Sequence, residues 1–290
     1  MWGTAAEEVR VHTPTSELAV FVHDGEHETV LLLHGGPGVP DYLEPVASLL
    51  APGRRAARFD QRGVGKSVAL NGSYGIGDYI ADVDGIRNYL GVERIHLFGH
   101  SWGGLLAQLY AGAYPDRTAS LFLCNSSTGV GEDWKRMEAT VMGYNRRQAG
   151  ALGWLGMGLL SSVSRVPGST GRWAAQGLMA RVWRNYFPDP AAAPVADPNW
   201  LAGVSAEAVN RTRKAILAAT PAALPSPVNP EFPVLVLFGG QDIYGTEAAT
   251  LFARFPSARR VRLERSGHLP WLQDTEAFGQ ALGEFYGSIA

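Results

Sequence analysis

The sequence predicts an α/β protein: a mostly parallel central sheet with helices on both faces. Three observations carry this. Short apolar runs recur at 30–34, 56–60, 95–99, 119–125, 234–238 and 260–263, each short enough and β-rich enough to read as a strand. Amphipathic stretches alternate with them, as βα units require. Glycine-rich segments bearing polar residues follow the ends of these runs, which is where open α/β sheets bind their ligands.

Taken in order, residues 9–13 and 18–22 alternate in polarity and read as an initial hairpin. Residues 23–27 form a turn with Asp24-Gly25 at its tip. His23 and His27 lie there among acids, but no third ligand stands at a recognised metal spacing, so the turn reads as solvated and no metal is expected. The strand 30–34 leads into a loop and a short helix at 42–50. The strand 56–60 follows. Residues 76–90 place Ile76, Tyr79, Ile80, Val83, Ile86 and Leu90 at helical spacing. The strand 95–99 precedes a helix at 105–114 and the strand 119–125.

The chain of 290 residues is 46% hydrophobic and 18% charged, enough for one large domain or a core with an inserted lobe. A formal net charge of −2 gives no electrostatic case for nucleic acid. Cys124 is the single cysteine and lies in an apolar run, which excludes an internal disulfide and points to a buried thiol. Residues 151–160 are too short and glycine-broken to span a bilayer, and the acidic start lacks an apolar leader core. A cytoplasmic protein without membrane partners is the expectation.

The chemistry concentrates in Gly99-His100-Ser101-Trp102-Gly103. Strand, G-x-S-x-G and helix in succession is the context of a nucleophile elbow, in which a tight turn presents the serine at the sheet's carboxyl edge. A serine hydroxyl needs a base and an orienting acid. Asp242 follows the strand 234–238 through Gly239-Gly240-Gln241, and His268 follows the strand 260–263 within Ser266-Gly267-His268-Leu269-Pro270. The order Ser, Asp, His is that of α/β-hydrolases and not of the chymotrypsin or subtilisin folds. His34-Gly35-Gly36-Pro37-Gly38 follows the run 30–33, where such proteins supply an oxyanion donor. The backbone N–H groups of Gly36 (with Gly35 the less favoured choice) and Trp102 are the candidate oxyanion hole. His100 reads as structural. Gly65-Lys66-Ser67 is not a phosphate loop, because the required glycine five residues earlier is Asp60. With no dinucleotide fingerprint, H-E-x-x-H or paired C-x-x-C, no cofactor is expected. A serine at the elbow also disfavours the aspartate-nucleophile chemistry of some related hydrolases.

Residues 34–38, 60–67 (Asp-Gln-Arg-Gly-Val-Gly-Lys-Ser), 99–104, 239–242 and 267–268 together resemble the proline iminopeptidase family of α/β-hydrolases, over most of 5–127 and 230–290. The resemblance implies an α/β-hydrolase core at 1–127 and 230–290, a helical cap at 128–229, and a triad of Ser101, Asp242 and His268. It places Asp60, Gln61 and Arg62 in a structural turn close under the site. It implies release of an amino-terminal residue, especially proline, with acids of the cap binding the free amine.

The middle of the chain departs from that pattern. Residues 128–229 hold five of the eight tryptophans (Trp134, Trp154, Trp173, Trp183 and Trp200), each either lining a pocket or gluing helices together. In Val182-Trp183-Arg184-Asn185-Tyr186-Phe187, tyrosine and phenylalanine stand where the family has a second tryptophan and then a glutamate, which removes the expected amine anchor. The segment carries 11 basic and 6 acidic residues, a poor match for a cationic amino terminus. Glu207, Glu132 and Glu138 remain as substitute anchors, and Gly35, Glu207, Trp183 and Tyr244 are the candidate substrate-binding residues. Two enzyme readings follow. One is a proline-iminopeptidase-like aminopeptidase acting on small peptides or amides. The other is a hydrolase for an ester, lactone or amide of a more apolar small molecule. A carboxylate facing Ser101 from the middle segment would separate them. A third reading, from another class, is a hydrolase-fold ligand-binding protein.

Overall fold

The computed structural model describes residues 6–51, 53–166, 168–224, 230–245 and 248–289. Its sheet begins with the hairpin β1 (Glu7–His12) and β2 (Ser16–His23), in antiparallel register with Val9 opposite Val20. The further strands are β3 (His27–Leu33), β4 (Arg54–Phe59), β5 (Val68–Ala69), β6 (Ile95–His100), β7 (Thr118–Cys124), β8 (Val234–Gly239) and β9 (Arg259–Leu263). Their spatial order is β1-β2-β4-β3-β6-β7-β8-β9, with β5 paired to β2. From β4 to β9 every pairing is parallel, while β2 runs antiparallel to β4. The pair formed by β5 was not expected: two residues are too short to leave a periodic signature.

Alternation along the strands sorts the core into two layers. Leu31, Leu33, Leu97, Leu121, Leu123 and Val236 face the side covered by α2 (Ile76–Tyr89) and α3 (Trp102–Ala113). Val30, Leu32, Phe98, Phe122, Leu235 and Leu237 face α1 (Glu44–Leu50) and α10 (Thr275–Gly287). Strands buried on both faces read as continuous apolar runs because neither face meets water. Helix α3 is buried from Trp102 to Ala111, which accounts for its small and apolar sequence.

Between β7 and β8 the chain forms α4 (Glu132–Val163), α5 (Ser169–Asn185), α6 (Pro198–Ala202) and α7 (Ala206–Ala218). Helix α4 kinks at Gly150, whose φ of 64° breaks the helical path. Asp197 caps α6 by accepting from Asn199 N–H at 2.8 Å, with Pro198 at the first turn; Ser205 caps α7 by accepting from Ala208 N–H at 3.2 Å. This insertion is tied to the sheet domain. Thr212 of α7 hydrogen-bonds Tyr79 of α2 at 2.6 Å, Ser205 N–H donates to Gly38 O at 2.8 Å, and Trp134 packs edge-on against Trp102. Trp200 meets Tyr42 and donates to Pro40 O, whereas Trp173 faces solvent. Beyond β8 come α8 (Ala248–Arg254) and, after β9, the single turn α9 (Pro270–Gln273). Among the described residues no helix is long and apolar enough to cross a membrane.

The turn after β4 is held by charge. Arg62, fully buried, donates to both carboxylate oxygens of Asp82 at 2.8 and 2.7 Å and to the carbonyls of Ser73 and Asp78. Ser16 Oγ adds a bond to Asp82 at 2.6 Å. Removing one member of such a pair strands a buried charge. Asp82→Ala is expected to lower folding stability by about 3–5 kcal/mol in urea titration, and a loss under 1 kcal/mol would show that the cluster is replaceable.

Candidate active site

Ser101 follows β6 directly, with φ 55° and ψ −122°. A serine in this region of backbone space is strained by about 1–3 kcal/mol and must be held there. Two main-chain bonds do so: Ser101 N–H donates to Cys124 O at 3.2 Å, and Ser127 N–H donates to Ser101 O at 2.9 Å. The turn also needs helix α3 close to β3. A Cβ on Gly103 would lie 2.0 Å from Leu33 O, so only glycine fits.

Asp242 and His268 arrive from the ends of β8 and β9. His268 Nδ1 and Asp242 Oδ1 are 2.6 Å apart, and the same oxygen accepts from Ile243 N–H at 2.8 Å. Asp242 Oδ2 is buried and has no hydrogen-bond partner among the described residues. Burial drives His268 down to about 3 and Asp242 upward, so both shifts disfavour the separated ion pair. The Nδ1–Oδ1 contact fixes the orientation of the imidazole. The imidazole is enclosed by the rings of Tyr186 and His100, both at 4.6 Å, and by Tyr244 edge-on at 5.2 Å.

Ser101 Oγ is hydrogen-bonded to Tyr244 OH at 2.8 Å, and among the described residues it makes no such bond to His268. Tyr244 OH also meets Ser127 Oγ at 2.9 Å. The structure thus brings Ser101, Tyr244, Asp242 and His268 into one cluster, with the serine resting on the tyrosine.

On the other flank of β6 lies the loop after β3. Gly35 N–H donates to Tyr42 OH at 2.8 Å, and Tyr42 OH donates to His100 Nδ1 at 2.6 Å. His100 Nε2–H in turn donates to His268 O at 2.8 Å. His100 is therefore a buried neutral relay, its imidazolium disfavoured by burial and by the neighbouring His268. The N–H of Gly35 is spent on Tyr42. Those of Gly36 and Trp102 have no acceptor among the described residues, as donors awaiting a ligand oxygen should. Gln61 ties the two segments together: its amide donates to His34 O and accepts from Trp102 Nε1–H, each at 2.8 Å.

The predicted amine anchors are not at the site. Glu207 lies in the exposed first turn of α7, 64% accessible and paired with Arg211. Glu132 pairs with Lys135 at the surface, and Glu138 makes a bidentate pair with Arg213 at 2.6 and 2.7 Å. Long acidic side chains on helix surfaces find basic neighbours there, and nothing draws them inward. Trp183 gives its Nε1–H to Pro194 O and packs on Phe187 and Trp200, so its ring connects to the site through Trp200 and Tyr42.

Three contributors escaped the sequence reading. Tyr42 is the phenol that links Gly35 to His100. Asn125, at φ 42°, donates its amide N–H groups to Gly267 O and His268 O and accepts from Gly239 N–H, stapling the His268 loop to β8. Its signal was available: a lone amide closing a buried apolar strand must be satisfied by something. Tyr186 supplies its carbonyl to His268 N–H and to Gln273 Nε2–H, both at 2.9 Å.

These features are those of a family, and the match is direct: residues 28–275 fit the model of the alpha/beta hydrolase fold, and the chain belongs to that family. It is similar to proline iminopeptidases over part of its length. One, from Clostridioides difficile (strain 630), is 30% identical over 118 residues, covering 40% of each chain. Another, from Lactobacillus delbrueckii subsp. bulgaricus, is 36% identical over 104 residues, covering 33% of this chain and 35% of its own. The chain thus spans about two fifths or less of the length of these relatives. Among solved structures, a thermophilic esterase from Thermogutta terrifontis superposes with a TM-score of 0.72 over 98% of this chain and 99% of its own, at 23% identity.

His100 and His268 carry a pH consequence. Both are depressed in the folded state, so below the ordinary value of 6.5 the unfolded chain binds protons that the folded one refuses. Their contribution to stability is complete above pH 6.5 and falls as the pH drops toward the folded values. Denaturant titrations from pH 6.5 to 5.5 should show stability falling with a slope approaching about 1.4 kcal/mol per pH unit for each histidine. Asp242, pushed upward by burial, binds protons in the opposite sense, so the decisive reading is the slope that His100→Gln removes; an unchanged slope would mean that His100 is not held neutral.

Proposed function

We propose that the protein is a serine hydrolase that cleaves an ester or amide of an uncharged, largely apolar acyl compound by way of an acyl-enzyme. Ser101 is the nucleophile, His268 the base and Asp242 its orienting acid. Gly36 and Trp102 N–H are the oxyanion donors, each worth about 3 kcal/mol of transition-state stabilisation in comparable sites. His268 Nε2 takes the Ser101 proton as the oxygen attacks the carbonyl carbon. The imidazolium then returns that proton to the departing group, and a water repeats the sequence in reverse to free the acid. This requires the Ser101 hydroxyl to turn from Tyr244 toward His268, a rotation about one side-chain bond. Residues 128–229 act as a cap that lines the acyl pocket and excludes water.

The single observation that carries the choice of substrate is the absence, among the described residues, of a second carboxylate at the site. Among the described residues Asp242 is the carboxylate that acts on Tyr186 and Tyr244, and the buried side chain of Asp41 beside Tyr42 is paired with Arg58 at 2.6 Å. An ammonium in a buried pocket needs a carboxylate partner, and Glu207, Glu132 and Glu138 are engaged by basic residues elsewhere. Aromatic rings occupy that space instead: Trp134 against Trp102, and Tyr186 against His268. The likeness of part of the chain to proline iminopeptidases supports a second reading, removal of an amino-terminal proline with the amine bound by backbone carbonyls.

Initial rates on p-nitrophenyl butyrate and on proline β-naphthylamide, each with wild type and Ser101→Ala, separate the two. The expected outcome is ester hydrolysis that Ser101→Ala lowers by several orders of magnitude, on the order of 10⁴-fold or more, with the prolyl amide untouched. Serine-dependent release of naphthylamine would move the assignment to the aminopeptidase, and ester hydrolysis surviving in Ser101→Ala would remove Ser101 as the nucleophile.

A further inference from the structure

The contact between Ser101 and Tyr244 has a chemical reading beyond rest-state packing. Ser127 binds the elbow twice: its N–H holds Ser101 O at 2.9 Å, and its Oγ holds Tyr244 OH at 2.9 Å, which in turn holds Ser101 Oγ at 2.8 Å. The result is a closed ring of main-chain and hydroxyl groups around the nucleophile. Ser127 is inaccessible to solvent and Tyr244 nearly so. Burial pushes the tyrosine up to about 12, so its hydroxyl keeps its proton and can donate.

The strand order says which part of a substrate this hydroxyl meets. Ser101 ends β6. Gly36 comes from the loop after β3, on one side of β6, while Tyr244 follows β8, across β7 on the other side. A tetrahedral carbon on Ser101 carries its oxyanion toward Gly36 and Trp102. His268, which hands the proton to the departing atom, follows β9 on the same side as Tyr244. The departing atom is bonded to the carbon that bonds Ser101 Oγ, and so comes within reach of a hydroxyl that already touches that oxygen.

Resting on the acyl-transfer reading above, we propose that Tyr244 is a catalytic residue that hydrogen-bonds the leaving group, with Ser127 as its positioning residue. In acylation the Ser101 proton passes to His268 Nε2, the Oγ–C bond forms, and the carbonyl π pair moves to the oxyanion. As the C–O or C–N bond breaks, its electron pair stays on the leaving atom, which takes the proton from His268. Where that atom is an ester oxygen, its second lone pair accepts a hydrogen bond from Tyr244 while charge develops, and Tyr244 is not itself deprotonated. Such help matters little for a leaving group that carries charge well and greatly for one that does not.

The test is a leaving-group series on one acyl chain: p-nitrophenyl butyrate, phenyl butyrate and ethyl butyrate, with wild type, Tyr244→Phe and Ser127→Ala. Fluorophosphonate labelling of Ser101 runs alongside, since fluoride departs unaided. In Tyr244→Phe, the loss in kcat/KM should grow as the leaving group worsens, becoming about 10²-fold larger for the poorest leaving group than for the p-nitrophenyl ester or for labelling. Ser127→Ala should show the same trend more weakly, and it carries the test if Tyr244→Phe does not fold. An equal loss on every substrate and in labelling would make Tyr244 merely structural and overturn the proposal. An equal gain would overturn it too, by showing that the tyrosine only restrains the serine. If wild type neither hydrolyses the esters nor takes the label, the acyl-transfer reading itself fails and this proposal falls with it.

Discussion

Everything at the candidate site depends on holding one residue, Ser101, in a backbone conformation it does not favour. The strain is offset by bonds that also do other work. The N–H and C=O of Ser101 are tied to the segment that ends β7, so the elbow cannot relax without breaking the β6–β7 edge. The absence of side chains at Gly99 and Gly103 lets the start of α3 lie close against β6 and the end of β3. The turn therefore fixes both the serine and the Trp102 N–H proposed above as an oxyanion donor.

Around that turn the remaining groups are referenced to one another through buried polar bonds. Asn125 joins the His268 loop to β8. His100 joins the same loop, through Tyr42, to Gly35. Gln61 joins the β3 loop to Trp102. A network of this kind is satisfied at each of these joints, which makes it rigid, and each member is costly to lose because its partner would be left without a substitute in the interior. The two flanks of the site, the loops after β8 and β9 and the loop after β3, are thus coupled across the end of β6.

How much of this was legible in the sequence depends on the kind of signal. The parallel strands announce themselves because burial on both faces forces unbroken apolar runs, as at 30–33 and 234–238. The elbow announces itself because only glycine tolerates such close contact at 103. His268 and Asp242 follow strand ends, and the place of a strand end is set by the fold. Residues whose role is fixed by long-range contacts were not legible. Tyr42 lies in what reads as an ordinary loop and acquires its role only when β3 and β6 pair. The β5 pair is too short to show a period. The acids of the middle segment were misread because sequence gives their charge but not their neighbours, and each had a basic partner nearby on a helix or across one.

The bond from Tyr186 to His268 is made by a carbonyl, and a carbonyl is common to all twenty residue types. The side chain at 186 can therefore change, within the space beside the His268 ring, without removing the main-chain acceptor that braces the histidine loop. Mechanical support and ring packing are separated onto different atoms of one residue. Such a joint lets the face presented to the histidine be altered while the loop that carries it stays anchored.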